Sequence, residues 1–155
     1  MGRALTERLP AANVTGMITH VTHIKCPATT VFDLVADIRN EAGWNSDISN
    51  VELSTGEPIG EGSQFMVVDK RGQHDTTITV FDRPERLEFF IHDGKMDIDI
   101  VVELADAGGE TTMTSRFTFK TKGLMRILFP LLQSLIKRDI AKQYKNFVRH
   151  CEAQN

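Results

Sequence analysis

The feature that most constrains the fold of this chain is a series of six short β-type segments followed by one long helical segment. Between residues 48 and 121 the segments are rich in β-branched and aromatic residues, and the links between them are short and carry Gly, Pro or Asp. Links of this length join antiparallel neighbours, because parallel strands need longer crossover connections. The segments are ISNVELST, SQFMVVDK, DTTITVFD, RLEFFIHD, KMDIDIVVEL and TTMTSRFTFK. They predict an antiparallel meander.

The last two segments indicate which face of that sheet is buried. Apolar and acidic positions alternate in residues 95–104, so one face is apolar and the other is polar. The apolar face holds Met96, Ile98, Ile100, Val102 and Leu104, and the polar face holds Asp97, Asp99 and Glu103. The same phase in the final strand places Met113, Ser115, Phe117 and Phe119 inward and Arg116 and Lys120 outward. We therefore expect the paired carboxylates of residues 95–104 to face solvent.

Another strand and two short helical pieces are predicted before the meander. Residues 16–25, GMITHVTHIK, are typical of a strand. Pro27 ends the pairing and begins a helix with apolar residues at helical spacing. These residues are Val31, Leu34, Val35 and Ile38. Asn40 and Gly43 break that spacing, so a second short helical turn is predicted just before Trp44, the only tryptophan of the chain.

From Gly123 onward the pattern is helical again, and Pro130 predicts a short first piece followed by a kink or a restart. Beyond the proline, one stripe is apolar and the opposite stripe is basic. The apolar stripe comprises Ile136, Ile140, Tyr144, Phe147 and Cys151, and the basic stripe comprises Arg138, Lys142, Lys145 and Arg149. Residues 1–116 hold 10 Lys/Arg against 19 Asp/Glu, whereas residues 117–155 hold 8 against 2. The basic helix either attracts an anionic partner or complements the acidic body.

These elements predict an α+β fold in which a curved antiparallel sheet of about seven strands wraps around the long C-terminal helix. At 155 residues the chain fits a single domain, residues 13–155, after a flexible N-terminal arm, residues 1–12. No apolar run approaches the roughly 20 residues that cross a bilayer, and the first dozen residues lack a signal-peptide core. We expect a cytoplasmic protein without stable membrane insertion, in which Cys26 and Cys151 are buried thiols.

Four stretches carry a family resemblance, namely IKCPATTVFDLVADIRNEAGW, GEGSQF, RPERLEF and FTFKTKGLMRILFPLL. In this order they resemble the START/polyketide-cyclase (SRPBCC) superfamily, whose helix-grip fold has the same order of elements. The resemblance implies an elongated apolar cavity between sheet and terminal helix, closed at one end by the two small helices. The superfamily includes lipid and sterol carriers, polyketide cyclases, hormone receptors and ribosome-associated proteins. It therefore implies a pocket rather than a reaction.

Cavity residues are expected on the inward phase of the strands, on the first helix and on the apolar side of the last. The candidates are His20, Phe32, Val35, Trp44, Phe65, Val67, Ile78, Phe89, Ile98, Ile100, Phe117, Leu128, Leu132 and Tyr144. His20 shares the inward phase of Ile24 and is the best candidate for an acid, a base or an orienting donor. Trp44 and Tyr144 either pack in the core or contact a ligand. Asp69 cannot be assigned, because SQFMVVDK is apolar on both phases.

The sequence contains no GxGxxG motif, P-loop, HExxH motif or Cys/His cluster, so neither a cofactor nor a metal site is predicted. The first hypothesis is a monomer or weak homodimer that binds a small hydrophobic or amphipathic ligand, such as a lipid, polyketide or isoprenoid. An alternative is a polyketide cyclase or dehydratase-type enzyme that uses the same cavity. A second alternative is a ribosome- or protein-interaction module that uses the basic stripe. DNA binding is not expected, because no aromatic residues are interleaved with that stripe.

Overall fold

The computed structural model describes residues 14–154, which form seven strands, two α-helices and one 3₁₀ helix. The chain begins with β1 (Gly16–Ile24), α1 (Ala28–Ala36) and the 3₁₀ helix (Ile38–Gly43). The meander consists of β2 (Ile48–Leu53), β3 (Gln64–Asp69), β4 (Gly72–Asp82), β5 (Arg86–His92), β6 (Met96–Asp106) and β7 (Thr111–Thr121). The last element is α2 (Leu124–Ala153). The predicted N-terminal arm, residues 1–12, lies outside the described residues.

The strands form one antiparallel sheet in the order β1-β7-β6-β5-β4-β3-β2. Strands β2 to β7 each pair with their neighbours in sequence, as expected from the short links between them. β1 pairs with β7 along its whole length, from Gly16 opposite Phe119 to Ile24 opposite Thr111. The sheet is curved, and α2 packs against it, so the predicted helix-grip fold is confirmed.

The strand positions that were predicted to face inward are the buried ones. On β6 the side chains of Ile98 and Val102 are buried, and Met113 is buried on β7. Asp99 lies on the opposite face, where its Oδ2 accepts a hydrogen bond from Lys120 Nζ at 2.8 Å. Burial of the apolar face provides most of the driving force for folding, at about 25 cal/mol per Å² of apolar surface removed from water. The alternation read from the sequence therefore determined which side of the sheet encloses the core.

α2 runs without interruption through Pro130, so of the kink or restart predicted at this proline, the restart does not occur. Proline removes one helical hydrogen bond and disfavours a helix interior by roughly 3 kcal/mol. Phe129, which is 1% exposed, and Ile136 pack into the same apolar cluster from either side of the proline. These tertiary contacts hold the helix together where local preference would break it.

Gly16 allows α2 to approach the edge strand β1. A Cβ atom at residue 16 would lie 2.4 Å from Cε1 of Phe129, well inside van der Waals contact. Phe129 also contacts Phe119, with ring centroids 5.1 Å apart. The absence of a side chain at Gly16 therefore makes room for the main buried anchor of the N-terminal half of α2.

Cys26 and Cys151 are both buried and unpaired, as predicted. Burial raises the pKa of both thiols, to about 12 for Cys151, and the negative charge of Glu152 adds to the rise. The two thiols are therefore protonated and pack as small apolar side chains.

Candidate ligand-binding cavity

A cavity of about 570 Å³ lies between the inward face of the sheet, the 3₁₀ helix and α2. Its volume falls within the range of about 300–1,000 Å³ that is typical of small-molecule sites. Apolar side chains from both α-helices and from strands β2, β3, β5, β6 and β7 provide most of the wall, and β4 contributes Thr76 and His74. The space between the sheet and the last helix is thus hollow rather than filled by side chains.

Eight of the fourteen predicted cavity residues lie in this wall. Seven of them lie on the inward side of a strand or helix, and Trp44 follows the 3₁₀ helix. They are Val35, Trp44, Val67, Phe89, Ile98, Ile100, Phe117 and Tyr144.

Five of the other six lie in solid core or beyond the cavity. Phe32, Phe65 and Ile78 are fully buried in the cluster that packs α1 against the sheet, where Phe32 meets the Phe81 ring at a centroid distance of 5.0 Å. Strand phase selects the buried face but does not distinguish its hollow part from its packed part. Leu128 is exposed and Leu132 half-buried on α2, outside the wall.

His20, the sixth, packs against Tyr144 instead of lining the cavity. The two rings are stacked, with centroids 5.0 Å apart and planes inclined by 7°. Burial lowers the pKa of His20, which favours the neutral imidazole. The sequence placed His20 on the correct face of β1, but the ring of Tyr144 is the group that reaches the wall.

The phenol of Tyr144 is held in a strongly desolvated position. Burial raises its pKa above the ordinary value, and the nearby Ser115 hydroxyl partly opposes that rise. Ser115 Oγ is itself buried and completes no hydrogen bond within the described residues. Tyr144 is therefore a neutral donor throughout the physiological pH range.

Trp44 and Gln143 contribute two buried polar atoms that have no hydrogen-bond partner within residues 14–154. Trp44 follows the 3₁₀ helix, and its ring meets the edge of Phe147 at a centroid distance of 5.2 Å. Its Nε1 is a donor, whereas the unpartnered Oε1 of Gln143 is an acceptor. An unsatisfied buried polar group costs about 1–3 kcal/mol, so both atoms favour a partner that these residues do not supply.

A group of polar side chains lies where the 3₁₀ helix and its C-terminal loop approach the β3–β4 turn. We call Glu41, Asn45, Asp69 and His74 the polar cluster. Asn45 Nδ2 donates to Glu41 Oε1 at 2.9 Å, and Asp69 Oδ2 lies 3.8 Å from His74 Nδ1. Except for Asn45, which is an amide, the members are titratable, and all four belong to the cavity wall.

Burial shifts the pKa values of two members of the polar cluster, Glu41 and His74, in opposite directions. It raises the pKa of Glu41, opposed by the Asn45 hydrogen bond and reinforced by the charge of Asp69. It lowers the pKa of His74, although the same Asp69 charge partly opposes that shift. Burial therefore favours the neutral form of the Glu41 carboxyl and of the His74 imidazole, which belong to the same wall.

Sequence reasoning missed Glu41 and His74 and left Asp69 open. A signal for His74 was present, because two steps of two residues along β4 lead from the inward Ile78 through Thr76 to His74. Asp69 likewise shares the phase of Val67 on β3. Glu41 lies in a short 3₁₀ helix, where no repeating pattern indicates which side faces inward.

The cavity contains no recognisable metal centre in the part of the chain that the structure describes. No three His, Cys, Asp or Glu side chains within residues 14–154 are arranged to hold a metal ion. The wall offers apolar surface, the polar cluster and further charged side chains, which are Asp37, Asp47, Lys70, Arg71 and Asp139.

Comparison with known proteins agrees with this geometry. A START superfamily protein from Mycobacterium smegmatis superposes with a TM-score of 0.72 at 12% identity, over 90% of this chain and 99% of that chain. A protein from Thermus thermophilus gives a TM-score of 0.72 at 15% identity, with 90% and 99% coverage. A hypothetical protein from Helicobacter pylori gives 0.75 at 8% identity, with 92% and 91% coverage. At these identities the likeness establishes the fold alone.

No curated protein matches the sequence. The family model described as "Polyketide cyclase / dehydrase and lipid transport" matches residues 15–152, nearly the whole described chain. Family and fold together indicate a protein that binds a hydrophobic ligand, and they confirm the resemblance seen in the sequence. The chain belongs to the polyketide cyclase, dehydrase and lipid-transport family, within the START-like (SRPBCC) superfamily.

Proposed function

We propose that this protein binds a small amphipathic molecule of lipid, polyketide or isoprenoid type, whose polar head is a neutral hydroxyl. The observation that carries the proposal is the apolar cavity of about 570 Å³ whose wall residues include two unpartnered buried polar atoms. The apolar wall accounts for affinity, since burial of ligand surface is favourable by about 25 cal/mol per Å² before ordering costs.

The hydroxyl head follows from the hydrogen-bonding capacity of Trp44 and Gln143. A hydroxyl both accepts and donates, so it matches both the Trp44 N–H and the Gln143 carbonyl oxygen in the wall. A carboxylate only accepts, so it can pair with the Trp44 N–H but not with the Gln143 carbonyl oxygen. We therefore expect discrimination between alcohols and carboxylates of equal chain length.

Trp44 provides the readout for a direct test, because it is the only tryptophan and belongs to the wall. The protein is titrated with 1-dodecanol, dodecanoate and dodecylammonium while Trp44 fluorescence is followed. We expect 1-dodecanol to bind about tenfold more tightly than dodecanoate, since the anion lacks a donor and must be desolvated. Tighter binding of dodecanoate or of dodecylammonium would contradict the neutral head, and no binding by any probe would contradict the ligand-binding function.

A matched pair of substitutions on α2 tests whether the polar head of the ligand contacts Gln143. Gln143→Met keeps side-chain length and removes the unpartnered carbonyl, so the preference for the alcohol should decrease while apolar affinity persists. Gln133→Met makes the same change on α2 outside the wall and should leave binding unchanged. Equal effects of the two substitutions would show that Gln143 does not contact the head.

A second candidate function, a dehydratase or cyclase, is favoured by the protonation of the polar cluster. A neutral imidazole at His74 can accept a proton and a neutral carboxyl at Glu41 can donate one, which is the pairing that elimination of water requires. On a β-hydroxy ketone, His74 would remove the proton from the carbon between the two functional groups. Glu41 would protonate the departing hydroxyl, releasing water and an enone, and solvent would restore both groups.

A long-chain 4-hydroxy-2-alkanone tests this second candidate through the ultraviolet absorbance of its enone product. If the polar cluster catalyses elimination, His74→Gln and Glu41→Gln should each reduce turnover at least about 100-fold, the usual scale of general acid–base catalysis. His20→Gln is the control, since His20 lies outside the wall. Absence of enone with the wild-type protein would remove the elimination and leave the binding function to stand on the fluorescence titration.

A further inference from the structure

We propose that the exposed apolar face of the N-terminal half of α2 docks on an anionic lipid bilayer, beside the cavity with which it shares Leu135. We call this surface the leucine face. It comprises Leu124, Ile127, Leu128, Leu131 and Leu135, which are 70%, 73%, 38%, 76% and 58% exposed. The partner is a lipid surface, so the inference goes beyond ligand binding in solution.

The leucine face is a concentrated apolar surface on an anchored helix. Its residues recur three or four positions apart and therefore lie along one side of α2. They account for five of the seven large hydrophobic residues that are exposed within residues 14–154. The other side of the same segment is anchored by the buried Phe129, so the helix holds its exposed side in a fixed position.

Charge around the leucine face favours an anionic partner. Residues 122–138 contain four Lys/Arg and no Asp/Glu, and Asp139 follows them. Arg138 and Lys142 are exposed and continue the side of α2 that carries Leu131 and Leu135, because they follow Leu135 at steps of three and four residues. Apolar residues flanked by cations are the composition of helices that lie in the headgroup region of anionic membranes.

The same charges disfavour a second copy of the chain as the partner. A two-fold contact would place the leucine face of one copy against the identical face of the other. Arg138 and Lys142, which continue the same side of α2, would then be brought toward an apolar contact by both copies, where positive charges lose hydration and repel one another. A bilayer with anionic headgroups neutralises these cations instead.

Leu135 connects the leucine face with the cavity, because it is exposed on the face and also belongs to the wall. A docked protein would therefore present one side of its cavity wall to the lipid, which suits the exchange of an amphipathic ligand. The helix would lie on the bilayer, since no helix within residues 14–154 is long and apolar enough to cross it.

Vesicle flotation tests the inference with the full chain. Wild-type protein is mixed with vesicles of phosphatidylcholine and phosphatidylglycerol in equal parts, or of phosphatidylcholine alone. We expect binding to the anionic vesicles that weakens with added salt, and about tenfold weaker binding to the neutral ones. Ile127→Ser with Leu131→Ser should weaken binding to anionic vesicles by about tenfold or more, because both side chains are exposed and contribute apolar surface only when docked.

Two double variants, each of which reverses two positive charges on α2, provide a test of the surface and its matched control. Arg138→Glu with Lys142→Glu, on the side of the leucine face, should abolish most binding, whereas Arg126→Glu with Lys137→Glu, on the other side of the same helix, should change it less than about threefold. Equal losses for the two pairs would overturn the inference, since only net charge would then matter. Failure of the wild-type protein to bind anionic vesicles would overturn it too.

Light scattering and Trp44 fluorescence distinguish membrane docking from self-association and from damage to the cavity. A wild-type dimer that dissociates when Ile127 and Leu131 become serine would assign the leucine face to a second copy and contradict membrane docking. Binding of 1-dodecanol in solution should be unchanged in that variant, because neither residue is in the wall. Loss of vesicle binding with intact alcohol binding would thus support the docking surface independently of the cavity.

Discussion

The N-terminal half of α2 is the more apolar half of the helix, yet its apolar side chains are the more exposed. In the C-terminal half, Phe147 and Cys151 are fully buried, and Tyr144 belongs to the cavity wall. In the N-terminal half, Ile127 and Leu131 are exposed, and Phe129 is the side chain that is fully buried. Apolar residues on one continuous helix therefore serve two purposes, enclosing a cavity at one end and forming an open surface at the other.

The difference arises from what each half packs against. Phe147 meets the ring of Trp44, and the backbone at Gly43 lies close to His150, so the 3₁₀ helix covers the C-terminal half. The N-terminal half contacts the β1 and β7 edge of the sheet through Phe129, without a covering element on its outer side among the described residues. Burial of a helical stripe is thus decided by the neighbouring elements, not by the stripe itself.

The largest expected effect is a difference between the two halves of α2 in how much a truncated apolar side chain lowers the free energy of unfolding. Phe147→Ala removes a fully buried ring and should lower the free energy of unfolding by about 3–5 kcal/mol. Leu131→Ala, an apolar truncation on the exposed half, should change it by less than about 0.5 kcal/mol. Urea unfolding of both variants measures the contrast. A cost for Leu131→Ala similar to that of Phe147→Ala would show that the leucine face is buried in solution.

An intermediate effect tests how the N-terminal half is anchored. Alanine normally suits a strand interior better than glycine, yet Gly16→Ala should destabilise the protein by about 1–3 kcal/mol through overlap with Phe129. The measurement is again urea unfolding, with the double variant Gly16→Ala and Phe129→Leu as control. The smaller leucine should recover part of the loss. Neutral or stabilising behaviour of Gly16→Ala would mean that α2 does not pack this closely on β1.

The smallest expected effect is the pH dependence of stability that Glu41 causes. The charge of Glu41 acts on Tyr144, which lies in the C-terminal half of α2. Burial raises the pKa of Glu41 above its ordinary value of 4.5 in the folded state. The folded state therefore binds the proton more tightly than the unfolded chain, and this contribution to stability is lost as pH rises through the raised pKa. Glu41→Gln should increase stability above that pKa by less than the effect of Gly16→Ala.

Urea unfolding across pH checks the sign of the Glu41 effect. The advantage of Glu41→Gln over wild type should shrink as pH falls toward 4.5, where the wild-type carboxyl becomes protonated in both states. Glu61, an exposed loop carboxyl, provides the control, and Glu61→Gln should not reproduce the trend. An advantage that grew toward acidic pH would be opposite in sign and would contradict burial of Glu41.

Much of the fold could be predicted because its patterns are local. Alternation on β6 identified the inward face, and short links identified antiparallel pairing. The cavity wall could be predicted only in part. Val67 and Phe65 have the same strand phase, yet Val67 lines the cavity and Phe65 is packed in solid core. Which buried side chain meets a void depends on how α1 and α2 sit above the sheet, and strand periodicity does not encode that.

By itself, the sequence determined the order of elements, the inward phase of the strands and the amphipathic character of the last helix, because these depend on residues near one another in the chain. Only the tertiary structure decided that α2 continues through Pro130, that His20 supports Tyr144, and that Glu41 joins Asp69 and His74. Each of these results depends on contacts between distant segments. Packing free energy from such contacts exceeds local preferences, and no local pattern records where they form.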